Sequence, residues 1–509
     1  LAGASARVQI AAANLGIHGG ASDGSLSRAQ ELAMRARTVP DALALTDGTT
    51  DLTFRAMLEA VDRCAAALAA RGLTRGDRVA VISENRIEYA LLQYAAAKLG
   101  LITACTNVRL AEPELAYCTA LVEPALIVAS PRYMDTARAV AAGVPVAGFH
   151  DLSDEGETTC VAEPEDGLFI IYTSGTTARP KAAVISHRAQ LARMSSMRLD
   201  LGILPGDGDI AWAPMFHIGG SEHLCTALMS GAPGYVVDGF DVDRIIDALG
   251  RFPVGWLMLV PATIDPLIEA LKERQPPIKG VRAVGCMADL VPSDTIAEIT
   301  SLVGAPYLDS FGATETGMAP LSANLIPVGS RPTTFPKQLT LLTELRLCDP
   351  EGNEVPDGEP GEAWVRGPTV FSGYWNNDAV NEKDFADGWF HMGDMFRKVD
   401  DGYIFAGRSK YLIKSGGENI YPAEIERVLL SDSRIADAIV VKKPDEKWGE
   451  VPIAVVVPAA EIDAEAVIEL CRAELAGYKR PKGVLFVGMD DLPRSVSGKI
   501  LREEVEKLV

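Results

Sequence analysis

Apolar residues fall into a helical pattern between residues 54 and 71. They recur at the three- and four-residue spacing of one helical face, at Met57, Leu58, Val61, Ala65 and Leu68. Gly72 follows as a stop signal. A second helix is predicted over residues 86–99. Each segment is therefore predicted to pack one face against a core.

Short continuous apolar runs accompany these helices and predict strands buried on both faces. The runs are residues 79–82, 125–128, 256–260 and 281–284. Helix and strand thus alternate along the chain, which predicts an α/β fold of largely parallel sheets covered by helices.

The pattern changes twice towards the C-terminus. From about residue 340, short strands at 345–347, 363–365 and 403–405 are joined by turn sequences, which predicts a β-rich subdomain ending near residue 407. From Arg408 onwards, alternating helices and strands predict a separate small α+β domain over residues 408–509. Residues 1–407 are accordingly predicted to form the large domain.

The composition limits the partners. Of 509 residues, 48% are hydrophobic and 23% are charged, which is typical of a globular protein. The formal net charge of −21 argues against nucleic acid as a partner, because a phosphate backbone requires a basic surface. A small anionic ligand in a local basic pocket is still compatible with this charge.

The cysteines and apolar runs predict a cytoplasmic protein. The eight cysteines form no Cys-x-x-Cys pair, which indicates free thiols rather than a zinc site or disulfides. No apolar run reaches about 18 residues, so no transmembrane helix is predicted. The N-terminus lacks the pattern of a signal peptide. A homodimer is compatible with the sequence, which does not require one.

The densest candidate chemistry lies between residues 172 and 181, after an apolar run at 168–171. Small residues there let backbone N–H groups face an anion, hydroxyls add donors and a lysine adds positive charge. The candidate phosphate-binding residues are Thr173, Ser174, Gly175, Thr176, Thr177 and Lys181. The spacing is not that of a Walker A loop, and taken alone the composition is also that of an ordinary turn.

This segment resembles the phosphate-loop motif of the adenylate-forming enzymes, which include acyl-CoA synthetases, luciferases and peptide-synthetase adenylation domains. Further motifs of that superfamily follow in the same order along nearly the whole chain. Residues 310–315 are similar to its aromatic-Gly-x-Thr-Glu motif. The resemblance implies that Phe311 stacks on adenine beside Gly312. It also implies that Thr314 binds a phosphate oxygen and that Glu315 holds Mg²⁺.

Two more motifs of the large domain carry the resemblance. Residues 387–394 are close to the Trp-x-x-Thr-Gly-Asp motif, which implies that Asp394 accepts hydrogen bonds from the ribose hydroxyls and that Arg408 contacts ribose or phosphate. Residues 214–220 match the substrate-side motif, which implies that His217 lies near the carboxylate and gates the path to the thiol. Amino-acid-activating members carry an Asp beside the aromatic residue of this motif. Phe216 is followed by His217 instead, which indicates an acid without an α-amino group.

The motifs of the C-terminal domain imply separate roles for several residues. Lys499, in a Pro-x-x-x-x-Gly-Lys motif, is implied to stabilise charge on the carboxylate and the α-phosphate. Lys410 stands at the hinge about which the small domain rotates. Lys414, Gly416 and Gly417 belong to the loop that is presented to the thiol after rotation.

The implied function is that of an ATP- and Mg²⁺-dependent acyl-CoA ligase. Such an enzyme activates a fatty or aryl acid as acyl-AMP with release of pyrophosphate, then transfers the acyl group to coenzyme A with release of AMP. Bulky residues around 212–226 and 255–263 favour a medium-chain or aromatic acid. The open alternatives are a freestanding ligase that loads a carrier protein, a luciferase-like oxygenase, and a non-catalytic homologue that binds a nucleotide or acyl group.

The sequence departs from the superfamily at two positions of the phosphate-loop region. Ala178 and Ala182 stand where glycine is usual. If the backbone torsion φ is positive at either position, an alanine is strained there and turnover is expected to suffer.

Overall fold

The computed structural model describes residues 27–173, 180–287, 291–415, 418–494 and 500–509. The strands in these ranges are β1 Leu43–Thr46, β2 Asp51–Thr53, β3 Arg78–Ile82, β4 Ile102–Cys105, β5 Leu126–Ala129, β6 Val146–Gly148, β7 Gly167–Thr173, β8 Lys181–Ser186, β9 Asp209–Ala211, β10 Gly234–Val236, β11 Val254–Leu259, β12 Val281–Met287, β13 Tyr307–Ala313, β14 Gly317–Leu321, β15 Glu344–Cys348, β16 Pro360–Arg366, β17 Phe385–Ala386, β18 Trp389–Val399, β19 Gly402–Arg408, β20 Ile413–Ser415, β21 Glu418–Ile420, β22 Ile435–Asp445, β23 Gly449–Pro458 and β24 Gly483–Phe486. The α-helices are α1 Arg28–Thr38, α2 Phe54–Ala70, α3 Ile87–Lys98, α4 Glu112–Val122, α5 Met134–Val140, α6 His187–Leu201, α7 Ile218–Met229, α8 Val242–Arg251, α9 Pro261–Arg274, α10 Ser293–Val303, α11 Asp378–Asp384, α12 Pro422–Leu430, α13 Ala464–Glu474 and α14 Arg502–Val505.

The largest sheet confirms the α/β fold. Its strand order is β6-β5-β3-β4-β7-β8, and every pair is parallel except β7 with β8. Val79 and Val81 of β3 pack towards α2 and α3, whereas Ala80 and Ile82 pack towards α4 and α5. Because helices cover both faces, the strands are continuous apolar runs rather than alternating ones.

Two four-stranded sheets complete the α/β region. Their orders are β2-β1-β10-β9 and β11-β12-β13-β14. β1 is parallel to β10, with Leu45 opposite Gly234, so the start of the chain joins strands formed far along the sequence. The second sheet shares a core with α8, α9 and α10. β13 carries the predicted adenine motif to its carboxyl end, where β14 pairs with it antiparallel.

The C-terminal part is richer in antiparallel strands. β15, β16, β17, β18 and β19 form one antiparallel sheet, as the turn-rich pattern predicts. β20 to β24 form a mixed sheet, in which β23 and β24 are parallel and the other pairs are antiparallel. The helices α12 and α13 pack on one face of this sheet. A short 3₁₀ turn, Ser409–Tyr411, joins the two sheets. The domain boundary near Lys410 stays a prediction.

Two further sequence predictions concern thiols and membranes. All eight cysteines lie in the described ranges and are free. Across the described part of the chain, no helix has the length and apolar character needed to cross a membrane.

His187 provides a pH-dependent contribution to stability. Its ring is fully buried at the start of α6, and Nδ1 accepts the backbone N–H of Arg28 at 3.3 Å. Burial, reinforced by the Arg28 guanidinium, lowers the pKa of His187 from 6.5 to about 3. As the pH falls from 6.5 towards 3, the unfolded chain therefore binds a proton that the native chain does not, and stability is lost in this window.

His187→Asn keeps an acceptor for the Arg28 N–H and removes the titrating group. Below the ordinary histidine pKa, we expect the wild type to lose about 1.4 kcal/mol of unfolding free energy per pH unit relative to this variant. Urea unfolding of both proteins at pH values above and below that pKa measures the difference. A difference that does not change with pH would contradict the expectation.

Candidate active site

Two paired antiparallel strands, β7 and β8, flank the candidate phosphate loop. Thr173, at the end of β7, pairs with Lys181, at the start of β8. The Oγ1 atom of Thr173 is buried and has no hydrogen-bond partner among the described residues. The remaining predicted loop residues lie outside the described ranges, namely Ser174, Gly175, Thr176, Thr177 and Ala178.

Ala182 is not strained. It lies within β8 opposite Tyr172 and is 1% exposed. Its backbone is extended as part of that strand, and its φ is not positive. The glycine that is usual at this position is therefore not needed for its torsion.

Tyr374 joins two of the predicted catalytic residues. The Nζ atom of Lys181 lies 3.7 Å from the centroid of the Tyr374 ring and 3.5 Å from Oδ2 of Asp384. The Tyr374 hydroxyl donates a hydrogen bond of 2.7 Å to Oε1 of Glu315. Burial and the Glu315 carboxylate raise the pKa of Tyr374, so the phenol keeps its proton and remains a donor.

β8 is the last strand of the largest sheet, and its outer edge positions Tyr374. The N–H of Val184 donates to the Gly373 carbonyl at 2.9 Å, and the N–H of Trp375 donates to the Ala182 carbonyl at 2.8 Å. The strand that presents Lys181 thus also fixes the segment that orients Glu315.

β13 ends in the predicted adenine and metal motif. A Cβ atom at Gly312 would lie 1.8 Å from the Gly317 carbonyl oxygen, so only glycine fits at this close approach of β13 and β14. Phe311 is 4% exposed, and its ring centroid lies 4.7 Å from that of Phe396 and 5.4 Å from that of Phe405. Because aromatic neighbours already cover most of the ring, stacking of Phe311 on adenine stays a prediction.

Asp394 and Arg408 lie opposite each other on β18 and β19. The guanidinium Nε of Arg408 is 3.0 Å from Oδ1 of Asp394. The Asp394 side chain is 3% exposed, whereas that of Arg408 is 51% exposed. The pair places a carboxylate acceptor beside a solvent-facing cation, as contacts to ribose and phosphate require. The ring of Phe396, two residues after Asp394, packs against the ring of Phe311.

Asn85 holds the loop that carries His217. It follows β3 and is 8% exposed. Its amide nitrogen donates to the carbonyls of Ala213 at 2.7 Å and Val237 at 2.9 Å, while Oδ1 accepts the N–H of Met215 at 2.7 Å. The Asn85 side chain therefore connects the substrate-side motif, through Met215, to the end of β10, through Val237.

His217 is the N-cap residue of α7, and its ring centroid lies 4.9 Å from that of Phe216. The ring is half-buried. In the first turn of α7, a Cβ atom at Gly220 would lie 2.3 Å from the Pro214 carbonyl oxygen. The glycine at position 220 thus lets α7 approach the loop that precedes His217.

Of the predicted residues of the small domain, Lys410 and Lys414 lie in the described ranges. Lys410, in the joining turn, has its Nζ 3.1 Å from Oε1 of Glu503. Lys414 is exposed, and its backbone N–H donates to Oε2 of Glu450 at 2.9 Å. Gly416, Gly417 and Lys499 lie outside the described residues. The roles of these five residues stay predictions.

Sequence reasoning missed Asn85, Tyr374 and Arg193, of which Arg193 is described below. Asn85 had an available signal, since a polar residue shortly after a predicted buried strand stands at the edge where ligands bind in α/β sheets. Arg193 also had one, because it occupies the same helical face as the buried Ala189 and Met197. Tyr374 had no local signal, because its partners are far away in sequence.

The donor set at Glu315 fits a nucleotide-bound magnesium ion. Within the described ranges, no group of three or more His, Cys, Asp or Glu side chains could hold a metal alone. Mg²⁺ bound with nucleotides takes one or two carboxylates and completes its shell with phosphate oxygens and water. Glu315, held by Tyr374 beside Lys181, supplies one carboxylate of that kind.

The two parts of the chain match separate family models. A model described as AMP-binding enzyme matches residues 32–375, and one described as AMP-binding enzyme C-terminal domain matches residues 424–499. Together they cover most of the chain.

Curated relatives and solved structures agree with these matches. The chain is 35% identical over 494 residues to indoleacetate–CoA ligase of Aromatoleum aromaticum, covering 92% of this chain and 96% of the relative. It is 33% identical over 487 residues to feruloyl-CoA synthase of Amycolatopsis sp., covering 93% and 97%. The fold is similar to O-succinylbenzoate coenzyme A synthetase from Bacillus subtilis in complex with ATP and magnesium ion, with a TM-score of 0.82, 27% identity and 93% and 98% coverage.

Proposed function

Because the chain belongs to the AMP-binding enzyme family of adenylate-forming enzymes, we propose that it is an AMP-forming ligase that joins an aryl carboxylic acid to coenzyme A. Relatives that act on indoleacetate and ferulate support the aryl class and the CoA acceptor. The observation that carries the proposal for this chain is the aromatic and thioether surface that faces Gly219, two residues after His217.

Gly219 faces a thioether and an imidazole ring. A Cβ atom placed there would lie 3.5 Å from Sδ of Met258 and 3.9 Å from Cε1 of His223, so both side chains lie at van der Waals distance from that position. The His223 ring lies 4.7 Å from the Trp256 ring. Burial lowers the pKa of His223 to about 4, so its ring is neutral at physiological pH and forms an uncharged aromatic wall. Flat π-surfaces beside a thioether suit an aryl group.

In the first half-reaction, a carboxylate oxygen forms a bond to the α-phosphorus of ATP. The α–β phosphoanhydride breaks and pyrophosphate leaves. Lys181 and Lys499 would offset the negative charge as two anions approach, and the hydroxyls of Thr173 and Thr314 would donate to phosphate oxygens. Mg²⁺, held by Glu315, would supply Lewis-acid stabilisation of the phosphates.

In the second half-reaction, the thiol sulfur of coenzyme A forms a bond to the acyl carbon, the bond to AMP breaks and the thiol proton passes to solvent. The same site must first surround a triphosphate and later admit a long thiol. Rotation of the small domain about Lys410 would remove Lys499 and bring Lys414, Gly416 and Gly417 to the acyl group.

A panel of acids tests the substrate class. We expect indoleacetate, phenylacetate and hydroxycinnamates to support ATP–pyrophosphate exchange and CoA-dependent AMP release, with kcat/KM at least about tenfold above fatty acids of equal carbon number. Faster turnover of fatty acids would overturn the aryl assignment. Preference for an acyl carrier protein over coenzyme A would overturn the acceptor. Absence of exchange with every acid would indicate a non-catalytic homologue.

Gly219→Ala tests whether the acid binds against the surface that faces Gly219. The added methyl group fits without a clash and improves helix propensity, so thermal stability should not fall. We expect kcat/KM for bicyclic aryl acids to fall by about tenfold or more, because the methyl group takes volume from the ring. Short acids such as propionate serve as the internal control, and an equal loss for both acid sizes would contradict the assignment.

A further inference from the structure

Arg193, in the middle of α6, is a buried cation with four partners. Its side chain is 2% exposed. Nε donates to the Thr369 carbonyl at 2.7 Å, and Nη2 donates to the Glu315 carbonyl at 2.8 Å. Nη1 lies 3.3 Å from both the Thr314 carbonyl and Oε1 of Glu222. All three guanidinium nitrogens are therefore committed to separate groups.

The partners of Arg193 belong to both halves of the candidate active site. Thr314 and Glu315 form the turn between β13 and β14 that is proposed to hold phosphate and metal. Glu222 lies on α7, which begins directly after His217, and its side chain is 6% exposed. Arg193 thus connects the helix of the acid side to the turn of the nucleotide side.

Arg193 and Tyr374 hold Glu315 from opposite ends. The guanidinium fixes the Glu315 carbonyl, and the Tyr374 hydroxyl fixes its carboxylate. The turn also fits closely around Arg193, since a Cβ atom at Gly317 would lie 2.7 Å from the Arg193 Cδ atom. Backbone and side chain of the proposed metal ligand are therefore fixed independently.

A buried ion pair by itself is weak evidence for a stabilising role, because desolvation of both charges offsets their attraction. A rigid fork of donors that holds two successive carbonyls has a second use, which is to fix a turn to within a fraction of an ångström. We propose that Arg193 is a positioning residue for adenylate formation, which sets the Glu315 turn relative to the acid-site helix through Glu222. This inference rests on the proposed function.

Arg193→Lys tests the proposal most directly. A lysine keeps the positive charge, but its single nitrogen cannot reach the carbonyls of Thr369 and Glu315 together with Glu222. We expect kcat for acid-dependent ATP–pyrophosphate exchange to fall by about 10- to 100-fold, and the Mg²⁺ concentration for half-maximal exchange to rise several-fold. A purely structural loss would lower the active fraction and leave the Mg²⁺ dependence unchanged.

Three further variants complete the test. Glu222→Gln keeps the oxygen that accepts from Arg193 and should retain a near-parental Mg²⁺ dependence, while Arg193→Met should reproduce or exceed the defect of Arg193→Lys. Arg188→Lys, on the same helix, is the matched control: Arg188 binds Glu165 and the Pro368 carbonyl but not the Glu315 turn, so the Mg²⁺ dependence should stay unchanged. Thermal unfolding of every variant accompanies the kinetics.

An unchanged Mg²⁺ dependence in Arg193→Lys, or parental kinetics in Arg193→Met, would overturn the positioning role. Equal shifts in Arg188→Lys and Arg193→Lys would do the same. Absence of exchange in the wild type would instead overturn the proposed function, so the two failures are distinguishable.

Discussion

Lys499→Ala is expected to lower the rate of acyl-adenylate formation by roughly 10²- to 10³-fold, while thiolation of preformed acyl-AMP is largely retained. The carboxylate and the α-phosphate are both anions, so the first half-reaction depends on cations that stabilise charge as the bond forms. The second half-reaction joins a thiol to a carbonyl and no longer brings those two anions together. ATP–pyrophosphate exchange measures the first half, and single-turnover reaction of prepared acyl-AMP with coenzyme A measures the second.

Lys507→Ala provides the matched control for the loss of Lys499. Lys507 lies in the same C-terminal segment, with its side chain 67% exposed and paired with Glu504. Its removal should leave both half-reactions unchanged. Equal loss of both half-reactions in Lys499→Ala would contradict the division of roles between the two states of the small domain.

The secondary structure was predictable because buried positions are occupied by apolar residues, whose spacing can be read within each segment. β3 and β5 are covered by helices on both faces, so each is a short uninterrupted apolar run. The helix α2 shows its buried face at Met57, Val61 and Leu68. The order of strands within the sheets was not predictable in the same way, since the pairing of Leu45 with Gly234 leaves no sign in either segment.

The candidate site was predictable only where a motif carried it. Lys181, Glu315 and Asp394 stand in segments that resemble the superfamily, whereas Tyr374 connects Lys181 to Glu315 through contacts between residues far apart in sequence. Arg193 and Asn85 bind backbone carbonyls, and such contacts depend on the folded path of the chain rather than on the identity of the residue that accepts.

Ala182 shows how a motif can mislead when its physical reason is not checked. The usual glycine at that position raised the expectation of a positive torsion. Position 182 is instead an extended residue in β8 whose carbonyl accepts the N–H of Trp375. A small side chain suffices there because the position is buried, 1% exposed, between β7 and the segment that carries Tyr374.

Glu315→Gln is expected to lower the rate of adenylate formation by more than about 100-fold, since a bound metal contributes several kcal/mol of charge stabilisation. The glutamine side chain has the same shape, and its oxygen still accepts the Tyr374 hydroxyl that now lies 2.7 Å from Oε1. The substitution therefore removes the charge with little disturbance of the fold. Titration of ATP–pyrophosphate exchange with Mg²⁺ should show a large increase in the concentration needed for half-maximal rate.

Tyr374→Phe separates the carboxylate from its orientation. It removes the hydrogen bond to Glu315 but leaves the charge and the aromatic face over which Lys181 lies. We expect a smaller loss, about tenfold, with a modest change in Mg²⁺ dependence, as is typical for a residue that orients a metal ligand. If Glu315→Gln kept the parental Mg²⁺ dependence, or if Tyr374→Phe were the more severe variant, Glu315 would not be the metal ligand. The contacts of Tyr374 with Lys181 and Glu315 would then serve to hold β8 against the turn after β13.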